Sequence, residues 1–184
     1  YTASTKTSIV LTQAASLNDT LEVIAYDIAS MSDMSASNGG TFQADVTFAA
    51  GADLITASAG TDNVRLGEDA GASIASGGTN NVTIGKDAGT AITTGDNNTF
   101  IGHQSGLANT TATVNTAVGS KSLYTNTTGA EITAVGDQSV YLNTTGDALT
   151  GLGRFALYSN TTGDKNTAVG VQSLGNNTTA SNNT

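Results

Sequence analysis

Hydrophobic positions recur with a fixed period over the C-terminal two thirds of the chain. An aliphatic residue followed by glycine stands at Leu66-Gly67, Ile84-Gly85, Ile101-Gly102, Val118-Gly119, Val135-Gly136, Leu152-Gly153 and Val169-Gly170. The glycines are 18 residues apart once and 17 apart five times. Two residues before each aliphatic stands a β-branched residue, from Val64 to Thr167, and three after each glycine stands Ala or Ser. Asn occupies the seventh position after the glycine in the last five copies, at Asn109, Asn126, Asn143, Asn160 and Asn177, whereas Ile74 and Ile92 stand there in the first two. Thr-Thr usually follows, and then a glycine such as Gly129 or Gly146.

A period of 17 is too short for a helix-pair repeat and suits one coil of a β-solenoid. The fold expected is therefore all-β, seven solenoid coils over 61–184. Each coil reads as a strand (Thr116-Ala117-Val118), a glycine corner, a second short strand (Ser122-Leu123-Tyr124) and an Asn-Thr-Thr-Gly turn. Glycine supplies positive φ at corners, and asparagine bonds neighbouring backbone. Coils stacked about 4.8 Å apart bring equal positions into ladders, and asparagine ladders bond along the axis. On this reading the β-branched and aliphatic residues of the strand point inward. The residue between them is Arg65, Thr83, Phe100, Ala117, Ala134, Gly151 or Ala168. It is small in the later copies, where an outward position would ordinarily be polar, so Ala117, Ala134, Gly151 and Ala168 read as packing against another chain, most simply about a threefold axis.

Residues 1–60 lack the period. Residues 1–34 read as a small β module, with strands at Thr5–Thr12 and Thr20–Tyr26 around the turn-forming Ser16-Leu17-Asn18-Asp19 and a short helical turn over Ile28–Met34. A competing reading takes Leu17, Leu21, Ile24, Ile28 and Met31 as a coiled-coil seam. Residues 35–60 read as a linker (Ser35–Gly40) and an alternating strand, Gly39–Phe48, leading into the solenoid.

Composition narrows the function. Six basic against 15 acidic residues, a net charge of −9, argue against holding nucleic acid. Cysteine is absent, which removes disulfides and thiol chemistry, and no apolar run is long enough to insert in a membrane. The chain starts at Tyr1 with no signal-peptide pattern and reads as part of something longer. His103, the single histidine, shares a column with Glu68, Lys86, Ser120, Asp137, Arg154 and Val171, which marks a solvent-facing position. Glu68, Asp69, Asp87, Glu131 and Asp137 are scattered and suggest no two-carboxylate cleft. No enzyme activity and no cofactor are therefore expected. Asp96, Asp147 and Asp164 share the position after the turn glycine, but Thr113 and Ala130 interrupt the column, so solvated turn charge is favoured over calcium. The sequons at Asn126, Asn143 and Asn160 are explained by turn chemistry. Tyr124, Tyr141 and Tyr158 form a further column, open to two readings: exposed, they would stack on sugars of a surface; buried, they would fill a groove between protomers. Packing is favoured.

The units Asn115–Gly129 (NTAVGSKSLYTNTTG) and Asn166–Thr179 (NTAVGVQSLGNNTT) resemble the repetitive shafts of bacteriophage tail fibres and, more distantly, the β-roll heads of trimeric autotransporter adhesins. Thr7–Tyr26 resembles a small β module recurrent in phage tail fibres, and Gly39–Phe48 the fibre segment that often follows it. The resemblance implies a homotrimeric structural shaft in the tail of a virion, extracellular, joined to other tail or virion proteins. Contact with a host receptor would then lie in distal parts. The alternative it implies is a bacterial trimeric surface adhesin whose solenoid binds host ligand itself.

Overall fold

A computed structural model describes Thr2–Thr5, Ser8–Val10 and 60–184. Every regular element among these residues is a strand, so the protein is all-β. The chain divides into two compact units, Tyr1–Asp53 and Leu54–Thr184. In the first, β1 (Thr2–Thr5) pairs antiparallel with β2 (Ser8–Val10), Thr2 opposite Val10, with an irregular register between Ala3 and Thr5. Within the strand expected over Thr5–Thr12, Ser8–Val10 is β2, while Thr5 ends β1 and pairs with Ser8. The expected strand at Thr20–Tyr26, the coiled-coil seam, the helical turn, the linker and the strand at Gly39–Phe48 lie outside the described residues.

The second unit is a β-solenoid. Its strands are β3 (Val64–Leu66), β4 (Val82–Ile84), β5 (Thr99–Ile101), β6 (Thr116–Val118), β7 (Thr133–Val135), β8 (Thr150–Leu152) and β9 (Thr167–Val169). They form one parallel sheet in sequence order, with equivalent residues paired, as Thr116 with Thr133 and Thr133 with Thr150. The corner glycines that follow all have φ between 119° and 132°. A Cβ on Gly119 would lie 2.6 Å from the carbonyl oxygen of Gly136 in the next coil, so conformation and stacking both demand glycine.

The side of the coil after this corner is not the second strand the sequence suggests. Lys121 and Leu123 are both left-handed (φ 53°), as are Gln138 and Val140, and Phe155 and Leu157. Alternating handedness sends alternate amides to opposite neighbours: Lys121 N–H donates back to His103, and Leu123 N–H donates forward to Ser139, while Ser122 N–H between them closes on Gly119 of its own coil. The backbone groups are satisfied between coils without a pleated strand.

The strand faces are the reverse of the sequence expectation. The middle column is the inward one: Phe100, Ala117 and Ala134 are 0% exposed, Ala168 is 1%, and Gly151 is buried. Ala117, Ala134, Gly151 and Ala168 therefore pack inside their own coil and are unavailable to a partner chain. The reason is volume. A three-residue strand offers one inward position, and the opposite side of the coil already fills the interior with Leu123, Val140 and Leu157. Two bulky strand residues would not fit beside them, so the β-branched and aliphatic columns turn outward.

Two facing inward columns trade volume. Where the strand contributes Arg65, Thr83 or Phe100, the opposing left-handed position is Gly71, Gly89 or Gly106. Where the strand contributes Ala117, Ala134, Gly151 or Ala168, that position is Leu123, Val140, Leu157 or Leu174. A Cβ on Gly106 would stand 2.6 Å from the Phe100 ring, and one on Gly151 would stand 2.7 Å from Val140. A left-handed Leu or β-branched Val is costly, on the order of 1–3 kcal/mol. It persists here because its side chain fills space that the small strand residue leaves.

Candidate functional site

Among the described residues no group of His, Asp or Glu side chains converges, and the surfaces that can act are the columns that the coils repeat. The asparagine column runs along one buried corner. Asn126 Nδ2 donates to Asn109 Oδ1 at 3.0 Å, Asn143 to Asn126 at 2.8 Å, Asn160 to Asn143 at 3.0 Å and Asn177 to Asn160 at 2.8 Å. Each Nδ2 also donates to a carbonyl three residues on, such as Gly129, Gly146 or Gly163, and so closes its own turn. Asn126, Asn143 and Asn160 are fully buried, so these sequons are shut within the core.

A second asparagine column, which the sequence reading missed, precedes the strands: Asn63, Asn81, Asn98, Asn115, Asn166 and Asn183. Asn81 donates from its backbone N–H and its Nδ2 to Asn63 Oδ1, and Asn98 does the same to Asn81. The two columns meet at the corner. Asn115 Nδ2 donates to Asn109 Oδ1 at 3.3 Å, and Asn166 Nδ2 donates to Asn160 Oδ1 at 3.2 Å. Equivalent spacing sets Asn98 against Ile92, Ile132 against Asn126 and Leu149 against Asn143. One polar rail thus starts in the strand-side column, crosses to the other at Asn109 and returns at Asn166, with aliphatic residues filling the vacated sites. The recurring Asn before Thr-Ala-Val was the visible signal for it.

The aspartates serve the same end. Asp96 Oδ1 accepts from the Thr79 N–H and hydroxyl, Asp147 Oδ1 from the Ala130 N–H, and Asp164 Oδ1 from the Asp147 N–H, at 2.7–2.9 Å. Each carboxylate joins its coil to the one before. Among the described residues no group of three or more His, Cys, Asp or Glu side chains is placed to hold a metal ion, and no helix is long and apolar enough to cross a membrane. His103 is exposed, and Glu68, paired to Lys86 at 2.6 Å, stands in the open on the surface.

Tyr124, Tyr141 and Tyr158 stack face to face, with ring centroids 5.0 and 5.1 Å apart and planes within 7°. They lie half-buried on the outer surface, on the side after the glycine corner. Phe155 meets Tyr158 edge-on at 5.4 Å, and the Arg154 guanidinium covers the Phe155 ring at 4.1 Å. Burial, and then its two tyrosine neighbours, raise the Tyr141 phenol above its ordinary 10.0. A raised acid holds its proton more tightly in the fold. Its stabilising contribution is therefore complete below about pH 10 and lost as pH climbs past that value. The difference in phenolate absorbance between the parent and Tyr141→Phe during alkaline titration should rise above pH 10.0.

The outward strand face carries two more columns. Its aliphatic members, Leu66, Ile84, Ile101, Val118, Val135, Leu152 and Val169, run from the first described coil to the last, with Ile101, Val135 and Leu152 36–38% exposed within the row. Beside them runs the column from Val64 to Thr167. A continuous exposed apolar stripe of this kind on a sheet is what monomeric proteins avoid.

Comparison with known family models, curated proteins and solved structures finds no match to this chain.

Proposed function

We propose that this chain is a structural shaft segment of a homotrimeric fibre, of the kind found in phage tails, in which three solenoids meet on their outward strand faces. The observation that carries this reading is the apolar stripe from Leu66 to Val169. It runs along the sheet, repeats with the coil and carries no charge, so three copies related by an axis parallel to the rod would cover it. The bonding between coils supports a mechanical role: buried asparagines, part-buried threonine hydroxyls bonded to the next coil (Thr127 to Thr144, Thr144 to Thr161) and surface aspartates all tie adjacent coils together. In this reading other tail or virion proteins join the shaft at its ends, and the fibre lies outside the cell.

Light scattering tests it. The parent should have three times the 18.3 kDa chain mass. Val135→Glu, which puts a charge in the stripe, should give a folded single chain, because an unpaired charge is costly to bury between protomers. Ala134→Glu should instead unfold the local coils, since that side chain points into its own core. A stable monomeric parent would refute the trimer. The half-exposed tyrosine ladder favours a second reading, a bacterial surface adhesin whose solenoid binds ligand itself; finding the protein in purified virions, and not on a bacterial surface, would decide for the phage shaft.

A further inference from the structure

The tyrosine ladder ends in a gap. The column that holds Tyr124, Tyr141 and Tyr158 holds Gly175 in the next coil, whose carbonyl accepts from the Ser159 N–H directly beside Tyr158. One face of the Tyr158 ring is covered by Tyr141, and the other is turned toward a position with no side chain. An open cleft of ≈ 450 Å³ occupies that place, lined by Tyr158, Phe155, Gly175, Gln138, Gln172 and Asn176. Its volume lies within the range of about 300–1,000 Å³ common to small-molecule sites.

We infer that this cleft is a binding site for a neutral pyranose ring, as a free glycoside or a residue of a surface glycan. The ladder's spacing of about 5 Å sets the thickness of the missing layer, and one flat ring over Tyr158 would continue the stack. Phe155, edge-on to Tyr158 and braced by Arg154, walls one side. The polar lining is three neutral carboxamides, Gln138, Gln172 and Asn176. Each offers both donors and an acceptor, as neighbouring hydroxyls of a sugar require, and a pyranose presents an apolar C–H face to an aromatic ring. The competing flat ligand is a nucleotide base, but its phosphate would meet a chain of net charge −9, and Arg154 is already held by Asp137 at 3.5 Å and by Phe155. The site goes beyond the shaft reading. It lies on the side after the glycine corner and not on the apolar strand face, so it stands or falls independently of the trimer.

Saturation-transfer NMR of the full chain with methyl β-glucopyranoside, methyl β-galactopyranoside and N-acetylglucosamine tests the assignment, with adenosine as the competing probe. At least one pyranoside should bind, half-saturating at about 1–10 mM as suits an open site, with transfer strongest at the C–H protons of one ring face. Gly175→Tyr, which completes the ladder with its own residue, should weaken that binding at least about tenfold. Gln172→Ala, at an exposed side chain, should weaken it several-fold with the ladder intact and covers the case in which Gly175→Tyr does not fold. The proposal is overturned if no pyranoside binds, if adenosine alone binds, or if binding is unchanged in a folded Gly175→Tyr chain or in Gln172→Ala.

Discussion

Replacing Gly106 with leucine is expected to unfold the third and fourth coils, and adding Phe100→Ala to the same chain is expected to rescue them. In the parent, a Cβ at Gly106 lands 2.6–2.7 Å from three atoms of a fully buried ring that has nowhere to go. Overpacking of this sort costs about 1–3 kcal/mol and more where the backbone cannot shift; the left-handed conformation adds about 1–2 kcal/mol. Phe100→Ala alone leaves a cavity under Gly89 and Gly106 and should cost about 3–5 kcal/mol. The double variant reproduces the arrangement already found one coil later, where Ala117 faces Leu123. It should be more stable than Phe100→Ala and show a favourable coupling of about 2–3 kcal/mol, at the upper end for residues in contact. Urea unfolding of the four chains of the cycle measures this. Additive losses would mean that the two columns do not share one space.

The second large effect is expected at the asparagine rail. Asn143 donates to Asn126 and to the Gly146 carbonyl, and accepts from Asn160, all within the core. Among the described residues no buried side-chain nitrogen or oxygen lacks a partner. Asn143→Ala would leave three buried polar groups short of one bond each, where each such loss costs about 1–3 kcal/mol. A total of about 3–5 kcal/mol is expected, the smaller figure applying if water enters the space. The same change at Asn177, which is only part-buried, should cost about 1 kcal/mol. Because stacked repeats are held by nearest-neighbour terms, the Asn143→Ala rod is expected to melt in two parts where the parent melts in one. A loss below about 1 kcal/mol at Asn143 would show that the rail is dispensable.

Both results turn on a feature of solenoids that makes some of their structure easy to read. Equal positions in successive coils lie directly above one another, so whatever one coil requires at a corner, all of them require. That is why the period, the number of coils, the corner glycines, the parallel strands and the ladder from Asn109 to Asn177 are written as repetition in the sequence. The rest depends on what faces what across the coil, and repetition carries no such information. A three-residue strand reads equally well with either face inward. The choice falls to the interior volume that Leu123, Val140 and Leu157 have already taken, and it turns Ala134 in and Val135 out. The exchange of Phe100 with Gly106 for Ala117 with Leu123, and the passage of the polar rail from Asn115 to Asn109, involve pairs brought together only when the coil closes. The aromatic slot likewise arises because Gly175 comes to stand over Tyr158. The sequence by itself determined the ladders; the closed coil decided which of them are core, which are surface, and where one is left open.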